Sequence, residues 1–220
     1  MRFFIDTANL DVIQKHICYD FCSGITTNPS LASKEGDHSY KNLISSLVEL
    51  CKKYSKPISI EVFTNDKDKI YDAAMEIMDY YEYEKIYVKV PIGFENIKII
   101  ERLRKKNILI NCTCVFSLSQ ALLCIKSDVN FISIFYNRIK DMNQDPNKII
   151  RITKDVIVKN KSNSEILVGS VRKVEDIEDA AEHGAHIATI PPKLFEQSCF
   201  HVGSVKAIDQ FLEDAKKIKL

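Results

Sequence analysis

No run of 18 apolar residues occurs anywhere in this 220-residue chain, which excludes a conventional membrane-spanning helix. No G-x-G-x-x-G and no Walker A pattern is present, so the usual sequence marks of a nucleotide site are missing. Net charge is scarce: 31 Lys and Arg stand against 30 Asp and Glu, a balance of +1. That is too weak a field to point to nucleic acid or an anionic membrane as a partner. There is no internal repeat and no low-complexity segment. The cysteines (Cys18, Cys22, Cys51, Cys112, Cys114, Cys124 and Cys199) are odd in number and show no zinc spacing. Cys112-x-Cys114 falls on a predicted strand, where the two thiols are expected to face opposite ways and share no metal. Reduced, mostly buried thiols in a cytoplasmic protein are the expectation. Met1-Arg-Phe-Phe-Ile-Asp6 reads directly as a strand, which leaves no room for a signal peptide.

What is present is an ordinary globular composition, 45% hydrophobic and 28% charged, in a chain long enough to build a core without metal or disulfide staples. Strand-like runs recur at residues 3–6, 24–27, 58–63, 86–90, 108–113, 131–135, 166–169 and 186–190. They start about 20 to 35 residues apart, room for one crossover helix each in a parallel sheet. Helical patterning fills the gaps. Asn9 is placed to cap residues 10–16, and Leu43, Leu47, Leu50 and Tyr54 share a helical face over 40–54. Further helices are expected over 66–81, 95–106, 146–159 and 174–183, the last stopped by Gly184. Ser117 with Gln120 forms a capping box for a helix to about Ser127. A short helix follows Pro191-Pro192, and an extra C-terminal helix runs from about Ser204 to Lys219. Residues 141–146 form the expected surface loop. Eight strands alternating with helices predict an α/β chain folded as a single (β/α)8 TIM-barrel domain over residues 1–220; an open doubly wound sheet is the alternative.

Lys89 carries the most information. It lies in Ile86-Tyr-Val-Lys-Val-Pro91, where an ammonium is costly to bury. Burial pushes a lysine toward the free amine, which attacks carbonyls to form Schiff bases. A plainer explanation is a buried stem with its head in solvent. Catalytic groups of barrels lie at the C-terminal strand ends, and polar residues gather there: Asp6 and Thr7; Thr26, Thr27 and Asn28; Glu61; Lys89; Asn111 and Thr113; Ser133, Asn137 and Arg138; Ser170 and Arg172. Singly each has a dull reading. Asp6 can cap a helix, Asn28-Pro29 can make a turn, Glu61 can pair with a lysine, and Thr113 can fill a strand. Together they fit one cavity in which carboxylates move protons for an amine nucleophile. Arg138 and Arg172 beside Ser170 would clamp a phosphate.

Gly24-Ile-Thr-Thr-Asn-Pro-Ser30, Val88-Lys-Val-Pro91, Asn111-Cys-Thr113 with Phe116-Ser117, and Phe131-Ile-Ser-Ile-Phe-Tyr-Asn-Arg138 resemble the motifs of the transaldolase family. The resemblance spans the chain and is nearest to the small, fructose-6-phosphate-aldolase-like subgroup. It implies a class I aldol mechanism without metal or organic cofactor. A dihydroxyacetone unit would pass from sedoheptulose 7-phosphate or fructose 6-phosphate to an aldose phosphate, in the pentose phosphate pathway. By resemblance, Lys89 is the Schiff-base lysine, Asp6 the acid/base of C–C cleavage, and Glu61 with Thr113 the pair acting through a bound water. Thr26 stands close to that network. Asn28, Asn111 and Ser133 hold the dihydroxyacetone hydroxyls, and Arg138, Ser170 and Arg172 the phosphate. The related aldolase carries Gln at the place of Glu61 and Tyr at the place of Phe135, so both residues favour transfer over release. Ile134, Tyr136 and Asn137 depart from the transaldolase pattern, and Asn137 is the aldolase-like choice. The small members commonly form decamers in which a C-terminal helix packs on a neighbour. A homo-oligomer, decamer or pentamer, is therefore implied, with sugar phosphates as partners and no nucleic acid or membrane. Val205, Ile208, Phe211, Leu212, Ala215 and Ile218 form a stripe that serves either such an interface or closure of the chain's own barrel. A fructose-6-phosphate aldolase and a non-catalytic sugar-phosphate binder are the competing readings.

Overall fold

The computed structural model describes residues 1–36, 39–64, 66 and 69–218. Parallel strands β1 (Arg2–Asp6), β2 (Cys22–Thr26), β3 (Ile58–Glu61), β4 (Ile86–Pro91), β5 (Leu109–Val115), β6 (Phe131–Phe135), β7 (Glu165–Gly169) and β8 (Ile187–Ile190) close into a barrel in sequence order. Pairing of β1 with β8 completes the ring, so the open-sheet alternative is overturned. The helices described are α1 (Leu10–His16), α2 (Pro29–Ala32), α3 (Tyr40–Tyr54), α4 (Ile70–Tyr81), α5 (Phe94–Arg104), α6 (Leu118–Lys126), α7 (Tyr136–Asp141), α8 (Pro146–Lys159), α9 (Val174–Glu182), α10 (Pro192–Ser198) and α11 (Val202–Ala215).

Local chemistry explains many of the boundaries. Asn9 accepts the Val12 amide and opens α1. The Ser117–Gln120 capping box opens α6, Asp145 with Pro146 opens α8, and Gly184, at φ +93°, follows the end of α9. Two short helices escape the sequence pattern. α2 and α7 are four and six residues long, too short for a hydrophobic stripe to register. Tyr136-Asn137-Arg138, directly after the strand expected over 131–135, is the first turn of α7. The helix expected over 66–81 begins at Ile70, and residues 67 and 68 of that expectation lie outside the described residues. So does Lys219, the expected end of the last helix.

Alternation along each strand divides the molecule into two cores. In β4, Ile86, Val88 and Val90 face the helices and join Ile44, Leu47, Ile100, Leu103 and Ile150 in the outer core. Tyr87 and Lys89 face the barrel axis. The lower interior is a separate apolar plug of Phe4, Phe131, Leu167 and Ile187, with Tyr87 against it. Tyr87 stacks on Phe131 at 4.0 Å and Phe4 meets Phe131 edge-on at 5.9 Å. Gly24 belongs to this layer: a Cβ there would lie 2.7 Å from the Phe4 ring.

The two thiols of Cys112-x-Cys114 do part, but not because of regular strand geometry, in which residues two apart share a face. The register of β5 shifts between Cys112 and Val115, and Cys114 takes φ +60°. Cys112 stays in the outer core, while Cys114 turns to where it senses Glu61, Lys89 and Arg138. The C-terminal stripe also resolves one way: α11 buries none of its residues, so it does not close the barrel.

Candidate active site

The upper interior layer is polar where the lower one is aromatic. Lys89 and Asn111, paired in register across β4 and β5, are both buried. They face Asp6, Thr26, Ser133 and Thr189 around a cavity of about 110 Å³, which Asn28, Phe135, Arg138, Gly169 and Ser170 also line. The Lys89 ammonium is held from two sides. It lies 3.0 Å from Glu61 Oε2, its partner in register on β3, and it donates to the Thr27 carbonyl at 3.1 Å. A buried charge needs such partners. The explanation of a stem with its head in solvent is thereby excluded, whereas pairing of Glu61 with a lysine is realised, with Lys89 itself as the lysine.

Asp6 caps no helix; that place belongs to Asn9. Its carboxylate accepts the Thr26 hydroxyl at 2.8 Å, and Thr26 in turn meets the Thr189 hydroxyl. Burial raises the Asp6 pKa above the ordinary carboxylate value, and the Lys89 charge and the Thr26 hydrogen bond recover only part of that. Asn111 is fixed at both ends of its amide: Nδ2 donates to Ser59 Oγ at 3.0 Å and Oδ1 accepts from Ser133 at 2.7 Å. Thr113 is buried, and its hydroxyl finds no nitrogen or oxygen partner among the described residues. Asn28 caps α2 rather than making a simple turn, its Oδ1 accepting the Leu31 amide, and the residue also lines the cavity.

The rim at β6 and β7 is built on a buried carboxylate. Asp176 is fully buried and accepts Asn137 Nδ2 at 2.6 Å, the Arg172 and Lys173 amides at 3.1 Å, and Lys140 Nζ at 3.3 Å. Burial works to raise its pKa, yet the hydrogen bonds from Asn137, the Arg172 amide and Lys140 bring it below the usual carboxylate range. Asn137 also donates its side chain to the Ser170 carbonyl at 2.9 Å. Ser170 itself sits in the left-handed region at φ +58°, a strained choice for a residue with a Cβ. Asn137 thus ties the start of α7 to the β7–α9 loop; a glycine would keep the backbone bond to the Ser170 carbonyl at 3.3 Å but lose both side-chain bonds.

The two arginines separate. Arg138 lines the cavity, its guanidinium 5.1 Å from the Phe135 ring centroid. Arg172 does not line it; both of its terminal nitrogens bind Asp141, at 2.8 and 2.6 Å. Sequence reasoning missed Ser59, Thr189, the Thr27 carbonyl, Asp141 and Asp176. A signal existed for two of them: Ser59 precedes Glu61 by two residues and Thr189 follows Ile187 by two, the strand period that places side chains on one face.

A family model described as Transaldolase/Fructose-6-phosphate aldolase matches residues 3–220. A "Probable transaldolase" of Symbiobacterium thermophilum is 38% identical over 220 residues, covering 100% of this chain and 99% of the relative. One of Oceanobacillus iheyensis is 35% identical over 214 residues, covering 97% and 98%. The thiamine phosphate pyrophosphorylase of Pyrococcus furiosus superposes with a TM-score of 0.60 at 10% identity, over 86% of this chain and 85% of that one, a likeness of fold alone.

Proposed function

The chain belongs to the transaldolase/fructose-6-phosphate aldolase family, and on that premise we propose that it is a transaldolase working through a Schiff base on Lys89, with residues 1–220 forming one class I aldolase-type domain. The observation that carries this reading is the buried Lys89 ammonium, 3.0 Å from Glu61, in a polar cavity above an apolar floor. Glu61 takes the proton that frees the amine. The amine attacks the ketose carbonyl carbon, and Glu61 with Thr113, through a water, protonates the carbinolamine hydroxyl so that it leaves as water and the iminium forms. Asp6, its pKa raised by burial, takes the proton of the substrate hydroxyl as the C–C bond breaks. The bond electrons pass to the iminium and leave an enamine on Lys89. Asn28, Asn111 and Ser133 hold the dihydroxyacetone hydroxyls, and Thr26 keeps Asp6 in place. Arg138 and Ser170 take the phosphate, with Arg172 joining when it leaves Asp141. An aldose phosphate then accepts the enamine carbon and the steps reverse.

Transfer is favoured over release because Glu61 exchanges protons where an amide would only orient water, and because Phe135 brings no hydroxyl to the cavity wall. Asn137, shared with the aldolase pattern, favours the second reading, a fructose-6-phosphate aldolase. Product analysis from fructose 6-phosphate, with and without erythrose 4-phosphate, decides between them. A transaldolase turns over only when the acceptor is present, whereas steady release of free dihydroxyacetone without it would establish the aldolase.

We also place the enzyme in the cytoplasm, in keeping with its free thiols, and as a homo-oligomer, decamer or pentamer. No described helix is long and apolar enough to cross a membrane. Val202, Val205, Ile208, Phe211 and Leu212 of α11 are all exposed, an apolar surface of the kind that marks an interface. Truncation after Cys199 is expected to break the oligomer into smaller species in light scattering; an unchanged mass would remove α11 from the assembly.

A further inference from the structure

Arg172 is already occupied. Its fork binds the Asp141 carboxylate through two parallel hydrogen bonds of 2.8 and 2.6 Å, the same bidentate geometry a guanidinium offers a phosphate. Asp141 therefore fills the place at that fork that the substrate phosphate would take. It stands one turn beyond Arg138 on α7, so the arginine lining the cavity and the carboxylate competing for its neighbour ride on one short helix. That helix is pinned to the loop carrying Arg172: Asn137 binds the Ser170 carbonyl and Asp176, and Asp176 binds the Arg172 amide. The distance between Asp141 and Arg172 is thus set by a buried network rather than by two free side chains. The pair itself is open to water, 54% and 53% exposed, and exposed pairs are weak and readily exchanged. Asp141 is ionised at neutral pH, because the Arg172 hydrogen bonds hold its carboxyl below the usual range.

We propose that Asp141 is a built-in competitor for the substrate phosphate: it holds Arg172 away from the cavity until a phosphate dianion displaces it, and it retakes the arginine when the phosphorylated product leaves. The inference rests on the phosphate subsite of the proposed function and deepens it. Transfer needs one aldose phosphate to depart before another enters while the enamine waits. A competing carboxylate lowers affinity for both and quickens the exchange. Asp141 is on this account a positioning residue with no contact to the reacting atoms.

The test is calorimetric titration of the full chain with inorganic phosphate, alongside steady-state transfer kinetics and borohydride trapping of free dihydroxyacetone. Asp141→Asn keeps the shape but cannot pair with both nitrogens as a carboxylate does. It should tighten phosphate binding roughly three- to tenfold, lower KM and kcat together for phosphorylated donors, and leave dihydroxyacetone trapping unchanged. In the Arg172→Ala background the same substitution should have less than half that effect. Unchanged or weaker phosphate binding in Asp141→Asn overturns the proposal, as does an equal effect in both backgrounds, which would reduce Asp141 to a bystander charge. Wild-type protein that binds no phosphate overturns both the proposal and the phosphate subsite, whereas failure of dihydroxyacetone trapping with phosphate binding intact strikes only the Schiff-base reading.

Discussion

Two layers of the same barrel interior, two residues apart on the same strands, obey opposite rules. Below lie Phe4, Tyr87, Phe131 and Ile187; above them, on those same strands, stand Asp6, Lys89, Ser133 and Thr189. The lower set packs ring on ring and gains from every buried methylene. The upper set buries charge and hydroxyl, and each member needs a partner: Glu61 for Lys89, Thr26 for Asp6, Asn111 for Ser133. The lower layer is a floor that closes the barrel to water from beneath. On that floor the polar groups above can be preorganised, which is where electrostatic catalysis draws its strength. Substitutions in the two layers should accordingly fail in different ways.

The largest effect is expected from Lys89→Arg in the upper layer. Arginine keeps the charge but stays protonated, so borohydride with substrate should add no mass and transfer should fall to background while thermal unfolding remains cooperative. A reducible adduct in this variant would show that the nucleophile is elsewhere.

Asp6→Asn comes next, slowing C–C cleavage by a factor of about 10² to 10⁴ while adduct formation persists. The same substitution should stabilise the fold at neutral pH. Burial raises the native carboxyl above its unfolded value, which is about 3.9. Between those two values the native state binds more protons, so wild-type stability falls as pH rises through that window. The variant should gain on wild type in urea midpoint at pH 7 and lose that gain as pH drops to about 4. A gain that persisted at low pH would show that packing, not charge burial, is responsible.

Phe131→Ala tests the other layer. It removes the ring shared by Phe4 and Tyr87 and should cost about 3–5 kcal/mol of stability, read from the denaturant midpoint. The protein that remains folded should still trap substrate on Lys89. A selective loss of trapping without loss of stability would erase the division between floor and site.

Phe135→Tyr, alone or with Glu61→Gln, should have the smallest effect, a few-fold rise in free dihydroxyacetone relative to transferred product from one donor. If neither variant moves that ratio, the choice between transfer and release lies elsewhere on the rim, with Tyr136 and Asn137 the first places to look.

The floor and the site were unequally legible in the sequence. Strand positions followed from β-branched runs, and helix starts from Asn9, Ser117 and Pro146, because these are local signals. Lys89, Asp6 and Asn111 stood out because burying them is expensive wherever they sit. Thr189 and Ser59 are small hydroxyl residues that sit in strands without drawing notice and were passed over, although their strand phase was readable. Asp176 and Asp141 left no trace, since an aspartate in the first turn of a helix looks like ordinary dipole chemistry and one at the start of an expected surface loop looks like ordinary solvent-exposed polarity. Only the closure of β6 beside β7 makes the first a buried anchor and the second a partner of Arg172. Motif resemblance named both arginines, but it could not say that Arg138 alone would line the cavity.

The central claim is that Lys89 carries the dihydroxyacetone unit between two sugars. Its most direct test is peptide mass mapping after borohydride reduction in the presence of fructose 6-phosphate, with and without erythrose 4-phosphate added before the reductant. The account predicts a dihydroxyacetone-sized adduct on the peptide containing Lys89, and its discharge when the acceptor is added first. An adduct on another lysine, or one on Lys89 that the acceptor fails to discharge, would contradict it.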